Sequence, residues 1–208
     1  MSPAPLRLGL AGLGTVGIGV VKIIQRHADL IAARAGRPVV ITAVSARDRS
    51  KNRDADLSGY GWEVDPVALA RRDDVDVLVE VMGGHEGAAR LATEAAISAG
   101  KDVVTANKAL LAHHGHALAL AAEAAGRVIR FEAAVAGGIP VVKALTEGLA
   151  GNQMRRVMGV MNGTCNYILT RMQSAGLPYE TVFEEARQLG YLVPTPTLTS
   201  AALMRATS

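Results

Sequence analysis

The sequence predicts an α/β protein: a doubly wound, mainly parallel sheet, followed by an incomplete α+β domain. Three observations predict it. Short apolar runs alternate with helical patterns from the first residues to about residue 132. Half of the residues are hydrophobic but only 3% are aromatic, so the apolar mass is mostly Ala, Val, Leu and Ile, which suits close packing of helices on a sheet. A glycine-rich turn lies between the first strand and the first helix.

The elements follow in order. Leu6–Ala11 reads as a short buried strand. After the glycine turn, 18–35 reads as one helix, with Val20, Val21, Ile23, Ile24 and Leu30 on its apolar face, broken by Gly36-Arg37-Pro38. Val39–Val44 is the second strand, so the chain opens with a βαβ unit. Residues 47–61 are polar and loop-like, and Pro66–Arg71 is a short helix. Val75–Val81 is a third strand ending in Gly83-Gly84. Ala88–Ala99 is an Ala-rich helix, Asp102–Thr105 a fourth strand, His116–Ala125 a helix and Val128–Glu132 a fifth strand.

The pattern then changes. Helices are expected at 141–148, 165–175 and 179–189, with a strand at 155–162. The expected boundary divides 1–135 from 136–208. The 208 residues give room for one full domain and part of a second.

Bulk chemistry excludes several functions. The formal net charge is +3, with no dense Lys/Arg run, which argues against nucleic acid and leaves a mild attraction for anionic ligands. Cys165 is the single cysteine, so no intramolecular disulfide forms; it reads as a packed, inert thiol. No apolar stretch near the N-terminus is long enough for a signal sequence or a membrane span, and a soluble cytoplasmic protein is expected.

The glycine turn carries the first chemistry. Gly12-Leu13-Gly14-Thr15-Val16-Gly17 matches G-x-G-x-x-G between a strand and a helix. The first glycine makes the tight turn and the second lets backbone approach a pyrophosphate. The third lets helix pack on strand, and the helix N-terminus faces the phosphates. This marks a Rossmann dinucleotide-binding unit, set against a purely structural turn. At the end of the second strand an acidic residue would hold a ribose 2′-hydroxyl, whereas an Arg accommodates a 2′-phosphate. Arg47 comes first and Lys51 follows, favouring NADP; Asp48 keeps NAD open. A merely solvated charged loop is the competing reading for both cations.

Ligands bind at the carboxyl ends of parallel strands. Gly83 and Gly84 follow the third strand and would allow close approach to the nicotinamide ribose. Thr105-Ala106-Asn107-Lys108 follows the fourth. Lys108 is placed to polarise a carbonyl or to move a hydroxyl proton, or else is a surface lysine at a helix start. The run Glu132–Pro140 reads as a domain hinge, or as one carboxylate and several carbonyls able to ligate a hard cation. His113, His114 and His116 read as loop and helix-start residues, not a metal site.

Together the motifs resemble one family, homoserine dehydrogenase. The resemblance rests on 12–17, Glu80–Gly84, Val103–Lys108, Glu132–Pro140, Met161–Leu169 and Leu189-Gly190-Tyr191, and it covers residues 6 to about 191. It implies NAD(P)-dependent interconversion of L-homoserine and L-aspartate 4-semialdehyde, in the biosynthesis of threonine and methionine. It implies that Gly12, Leu13, Gly14, Thr15, Val16 and Gly17 hold the pyrophosphate and that Arg47 meets the 2′-phosphate. Thr105 and Lys108 would lie between cofactor and substrate, with Lys108 catalytic. Glu132, Val135, Gly137 and Ile139 match the family's monovalent-cation site, usually sodium, and Thr164, Gly190 and Tyr191 its substrate region. A full-length member is expected to be a homo-oligomer.

The resemblance also implies a departure. Beyond Tyr191 the family's substrate-binding Glu and Asp and its proton-donating Lys would fall on Val193, Thr195-Pro196, Met204 and Ser208, where neither carboxylate nor lysine stands. The expectation is an atypical tail at 192–208, arising by frameshift, truncation or sequence error, with the remaining second-domain helices exposing apolar surface. A catalytically inactive NADP-binding fragment is the alternative outcome.

Overall fold

The computed structural model describes residues 3–159, 162–189 and 191. By internal contacts the chain divides between Ala150 and Gly151 into two units. The boundary expected from the sequence lies fifteen residues earlier, at 135–136.

The first unit is a six-stranded sheet with helices. Its elements are β1 (Leu6–Ala11), α1 (Thr15–Arg26), α2 (Ala28–Ala35), β2 (Val39–Ser45), β3 (Gly61–Glu63), α3 (Pro66–Arg71), β4 (Val77–Glu80), α4 (Ala88–Ser98), β5 (Asp102–Thr105), α5 (Lys108–Ala124), β6 (Ile129–Arg130), α6 (Glu132–Ala136) and α7 (Val141–Lys143), which runs into a π-helical turn at Ala144–Gly148. The strand order is β3-β2-β1-β4-β5-β6 and every pairing is parallel. The chain winds outward from β1 to β3, returns to β4 on the other side of β1, and winds outward again. That reversal between β1 and β4 is the topological switch point where open α/β sheets bind ligands.

The core explains the strands' apolar runs. One cluster packs Leu78 and Val103 with Leu69, Ala92, Ala96, Leu110 and Leu118 from the helices. The other packs Leu8, Leu10, Ile41, Val44 and Val79 against Val21. Small alanines on α4 let it lie close to the sheet, which is why that helix reads as Ala-rich.

Several expected elements differ. The single helix expected over 18–35 is two, because His27 leaves the helical region (φ −119°, ψ 27°) while both helices keep a hydrogen bond through it. The loop 47–61 leads into β3, a three-residue strand too short to carry a pattern. The helix expected from His116 starts at Lys108, because Asn107 caps it: its Oδ1 accepts from the Leu110 amide at 3.1 Å. His113 and His114 are therefore helical, not loop. The fifth strand shortens to Ile129–Arg130, and Glu132, expected in that strand, opens α6 instead.

The second unit holds α8 (Gly163–Ala175) and α9 (Tyr179–Gln188), packed around Ile168, Val182 and Ala186. Over 155–159 no strand forms; Val157 and Met158 are exposed, and no described segment offers them a ladder. Val160, Met161, Gly190 and 192–208, including Val193, Thr195-Pro196, Met204 and Ser208, lie outside the described residues. No helix among the described residues is long and apolar enough to cross a membrane.

Candidate cofactor cleft and candidate substrate residues

The glycine turn sits at the switch point. Gly12 follows β1 with φ +106°, and a Cβ there would approach the Val81 carbonyl to 2.8 Å. At Gly17, a Cβ would come within 1.9 Å of the Gly12 carbonyl, a contact only hydrogen can make. Gly14 differs from both: a Cβ there would meet nothing within 4 Å. The outer two glycines are fixed by the protein's own packing, while the middle one faces open space where a ligand's phosphates can approach backbone. The N-terminal turn of α1 starts at Thr15, beside that space, with no acidic residue in it.

A cleft of about 620 Å³ opens there. Gly12, Leu13 and Gly14 line one side, Ser45, Ala46, Arg47, Asp48 and Lys51 another, and Val81, Met82 and Gly83 a third. These residues lie at or beyond the carboxyl ends of β1, β2 and β4. The structure thus brings the glycine turn, Arg47, Lys51 and Gly83 together. It adds Arg53, which the sequence reading missed. The Arg53 guanidinium donates to the carbonyls of Lys51 (3.0 Å) and Asp48 (2.6 Å) and lies 5.5 Å from the Trp62 ring centre. A lone arginine in a polar loop gives no sequence signal for this; its partner Trp62 belongs to the missed strand β3.

One oxygen of Asp48 is engaged by Ser50. Its Oδ1 accepts from both the hydroxyl (2.7 Å) and the amide (2.8 Å) of Ser50. These bonds hold the Asp48 carboxyl below the usual carboxylate range, the hydroxyl contributing most.

A second cleft, about 340 Å³, adjoins the first through Val81, Met82 and Gly83, and is lined also by Val16, Ala106, Asn107, Lys108 and Ala109. Lys108 is the first residue of α5 and is exposed. A cation is disfavoured at a helix N-terminus, so the position works against the helix's own electrostatics. Thr105 is not in either lining. The residue is 1% exposed and its hydroxyl donates to Glu80 Oε2 at 2.6 Å, supporting the loop from below. Gly84 adopts φ +80° and its carbonyl accepts from Asn107 Nδ2 at 2.6 Å, outside both linings.

Glu132 and Val135 lie on α6, Gly137 ends it, and Ile139 follows two residues on with its carbonyl accepting from the Val141 amide at 2.8 Å. Among the described residues no group of three His, Cys, Asp or Glu side chains is placed to hold a metal ion. In the second unit, Thr164 and Tyr191 meet: the Thr164 hydroxyl donates to the Tyr191 carbonyl at 2.7 Å, and the Tyr191 ring stacks on Tyr167 at 4.9 Å. Gly190, expected with them, lies outside the described residues.

Residues 12–132 match the family model for the homoserine dehydrogenase NAD-binding domain, more than half of the chain. The chain belongs to the homoserine dehydrogenase family. A second homoserine dehydrogenase model matches residues 140–199, past Tyr191, where the resemblance was expected to fail. Homoserine dehydrogenase of Neisseria gonorrhoeae is 44% identical over 93% of this chain. That of Corynebacterium glutamicum is 47% identical over 91%. The chain spans 44% and 42% of those two proteins, so less than half the length of either. Among solved structures, homoserine dehydrogenase from Thiobacillus denitrificans superposes with a TM-score of 0.84 at 41% identity, over 93% of this chain and 44% of that one. A hyperthermophilic archaeal homoserine dehydrogenase in complex with NADPH superposes at 0.76, with 26% identity over 93% of this chain and 64% of its own.

Proposed function

We propose that this chain binds NADP(H) in the switch-point cleft and that the whole protein interconverts L-homoserine and L-aspartate 4-semialdehyde. The observation that carries the cofactor reading is the convergence of the glycine turn with Arg47 and Lys51 at one crevice. Gly12–Gly17 would receive the pyrophosphate on backbone amides. Arg47 and Lys51 would pair with the 2′-phosphate. The archaeal relative, solved with NADPH, supports the same choice.

The cofactor, when bound, supplies the hydride. The chain's own residues position and polarise. Gly83 and Gly84, both at positive φ, leave the nicotinamide end of the cleft open to close approach. Lys108, at the edge of the adjoining cleft, would polarise the aldehyde carbonyl or hold the hydroxyl proton at its Nζ. Thr164, Gly190 and Tyr191 are proposed to contact substrate, and Glu132, Val135, Gly137 and Ile139 to hold a monovalent cation such as sodium. One carboxylate with carbonyls is a hard, weakly charged donor set, and a carbonyl already accepting one bond keeps a second lone pair. The functional boundary is proposed at 135–136, between the two family-model matches. A homo-oligomeric cytoplasmic enzyme of threonine and methionine biosynthesis is the proposed context.

Two measurements test the reading side by side: NADPH and NADH titrated against the chain, and turnover of homoserine with NADP. NADPH is expected to bind about 100-fold tighter than NADH, as the loss of two charged hydrogen bonds, to Arg47 and Lys51, would dictate. Tighter binding of NADH would sink the Arg47 assignment. Binding without turnover would restrict this chain to the cofactor half of the reaction.

A further inference from the structure

We propose that Glu80 is a positioning residue that sets the nicotinamide end of the cleft, acting through Thr105 and Asn107. The inference rests on the cofactor reading above and goes beyond it.

Glu80 is the last residue of β4 and is fully buried. No Lys, Arg or His pairs with it among the described residues. A carboxyl placed there without a cation is costly unless hydrogen bonds meet it, and an apolar residue would fill the same space more cheaply. What it does is join two loops. Oε1 accepts from the amides of Met82 (2.8 Å) and Gly83 (3.4 Å). Oε2 accepts from the Thr105 hydroxyl at 2.6 Å.

The Thr105 oxygen in turn accepts from the Asn107 amide at 3.0 Å. Asn107 then spans the gap from the other side: Nδ2 donates to the Gly84 carbonyl, while Oδ1 caps α5 at the Leu110 amide. The circuit is closed. It fixes Met82 and Gly83, which line both clefts, and it fixes the helix start that carries Lys108. Gly83 and Gly84 both sit at positive φ and lie in no strand or helix, so this circuit supplies the hydrogen bonds that regular structure would otherwise give.

A circuit at one end of the cleft should affect one end of the ligand. The test uses the 208-residue chain with Thr105→Val, Thr105→Ser and Glu80→Ala. NADPH affinity and its nicotinamide fluorescence are read beside the affinity of 2′,5′-ADP, which carries adenosine, the 2′-phosphate and one 5′-phosphate but no nicotinamide. Thr105→Val keeps the shape and removes the hydroxyl. It should weaken NADPH about tenfold, the scale of coupling through residues that do not touch the ligand, and diminish the fluorescence change on binding. Binding of 2′,5′-ADP should stay within about twofold. Thr105→Ser should restore NADPH binding. Glu80→Ala should match or exceed Thr105→Val; if it does not fold, the Val/Ser pair decides. Equal losses for both ligands, or no loss for NADPH, would overturn the proposal. If the unaltered chain binds 2′,5′-ADP and NADPH alike and the variants change nothing, only the positioning role fails. If the unaltered chain binds neither, the cofactor reading fails and takes this inference with it.

Discussion

The two units solve the same problem with different means. In the first, two clusters of buried side chains flank the sheet, and β1 and β4 at its centre are largely buried. In the second, α8 and α9 pack on each other. They bury Ile168, Val182 and Ala186 and leave Leu169, Leu189 and Met158 substantially exposed, the last at 77%. A helix pair can hide one stripe per helix; a doubly wound sheet hides both faces of its strands. The difference teaches where to look for tight constraint. In the sheet unit, single atoms decide whether the cleft forms. In the helix pair, a few side chains carry the packing.

The most severe break in the comparison is Gly17→Ala. Its Cβ would lie 1.9 Å from the Gly12 carbonyl, so α1 must move away from β1 and the turn must open. Overpacking of this kind costs about 3 kcal/mol, and NADPH binding should fall more than about 100-fold. Gly19→Ala, two residues on in the same helix, meets nothing within 4 Å and should be neutral or slightly stabilising. Thermal melts and NADPH titrations of the pair check it; similar behaviour of the two variants would refute the steric account.

Ile168→Ala asks the same question of the second unit. Removing the largest fully buried side chain there should cost about 3 kcal/mol, by lost burial and residual cavity. Hydrogen exchange should then rise across α8 and α9. Protection of β1, β4 and β5 should hold. Loss of protection across both units would show that they melt as one.

What the sequence made legible follows the same division. The alternation of Leu6–Ala11, Val39–Ser45, Val77–Glu80 and Asp102–Thr105 with helices was readable because buried parallel strands are continuous apolar runs. The glycine turn was readable because its spacing encodes backbone geometry. Glu80 and Thr105 stand in legible motifs, but the bond between them was not legible, since nothing in a linear sequence says which neighbouring strand a side chain meets. β3 and Arg53 were missed because their partners, β2 and Trp62, are fixed only by the fold. The strand expected at 155–162 failed over 155–159 for the complementary reason: an apolar run needs a partner before it becomes a strand.

A smaller effect separates cofactor choice from fold. Arg47→Ser should weaken NADPH about tenfold, by loss of one charged partner of the 2′-phosphate, and leave NADH binding and the melting temperature nearly unchanged. Lys51 and Arg53, lining the same cleft, should keep the residual preference for NADPH. An equal fall for both nucleotides would mean that Arg47 shapes the loop instead.

The smallest effect lies at the opposite end of the sheet. Arg7, on β1, grips Asp76 just before β4: Nε and Nη2 reach the carboxylate at 3.1 and 2.6 Å, and the Arg7 amide donates as well, at 2.9 Å. The guanidinium hydrogen bonds hold the Asp76 carboxyl below its usual range. A carboxyl lowered in the folded state contributes stability that is fully present above its unfolded value, about 3.9, and is lost as pH falls through the lowered one. Both side chains are more than a third exposed, 38% and 35%, so solvent keeps the contribution under about 1 kcal/mol. Asp76→Asn should therefore lower the melting temperature of the sheet unit slightly at pH 7, and the deficit should close in acid. Exchange protection in α8 and α9 should not respond. A deficit independent of pH would assign the loss to the Arg7 amide bond and strand packing, not to charge.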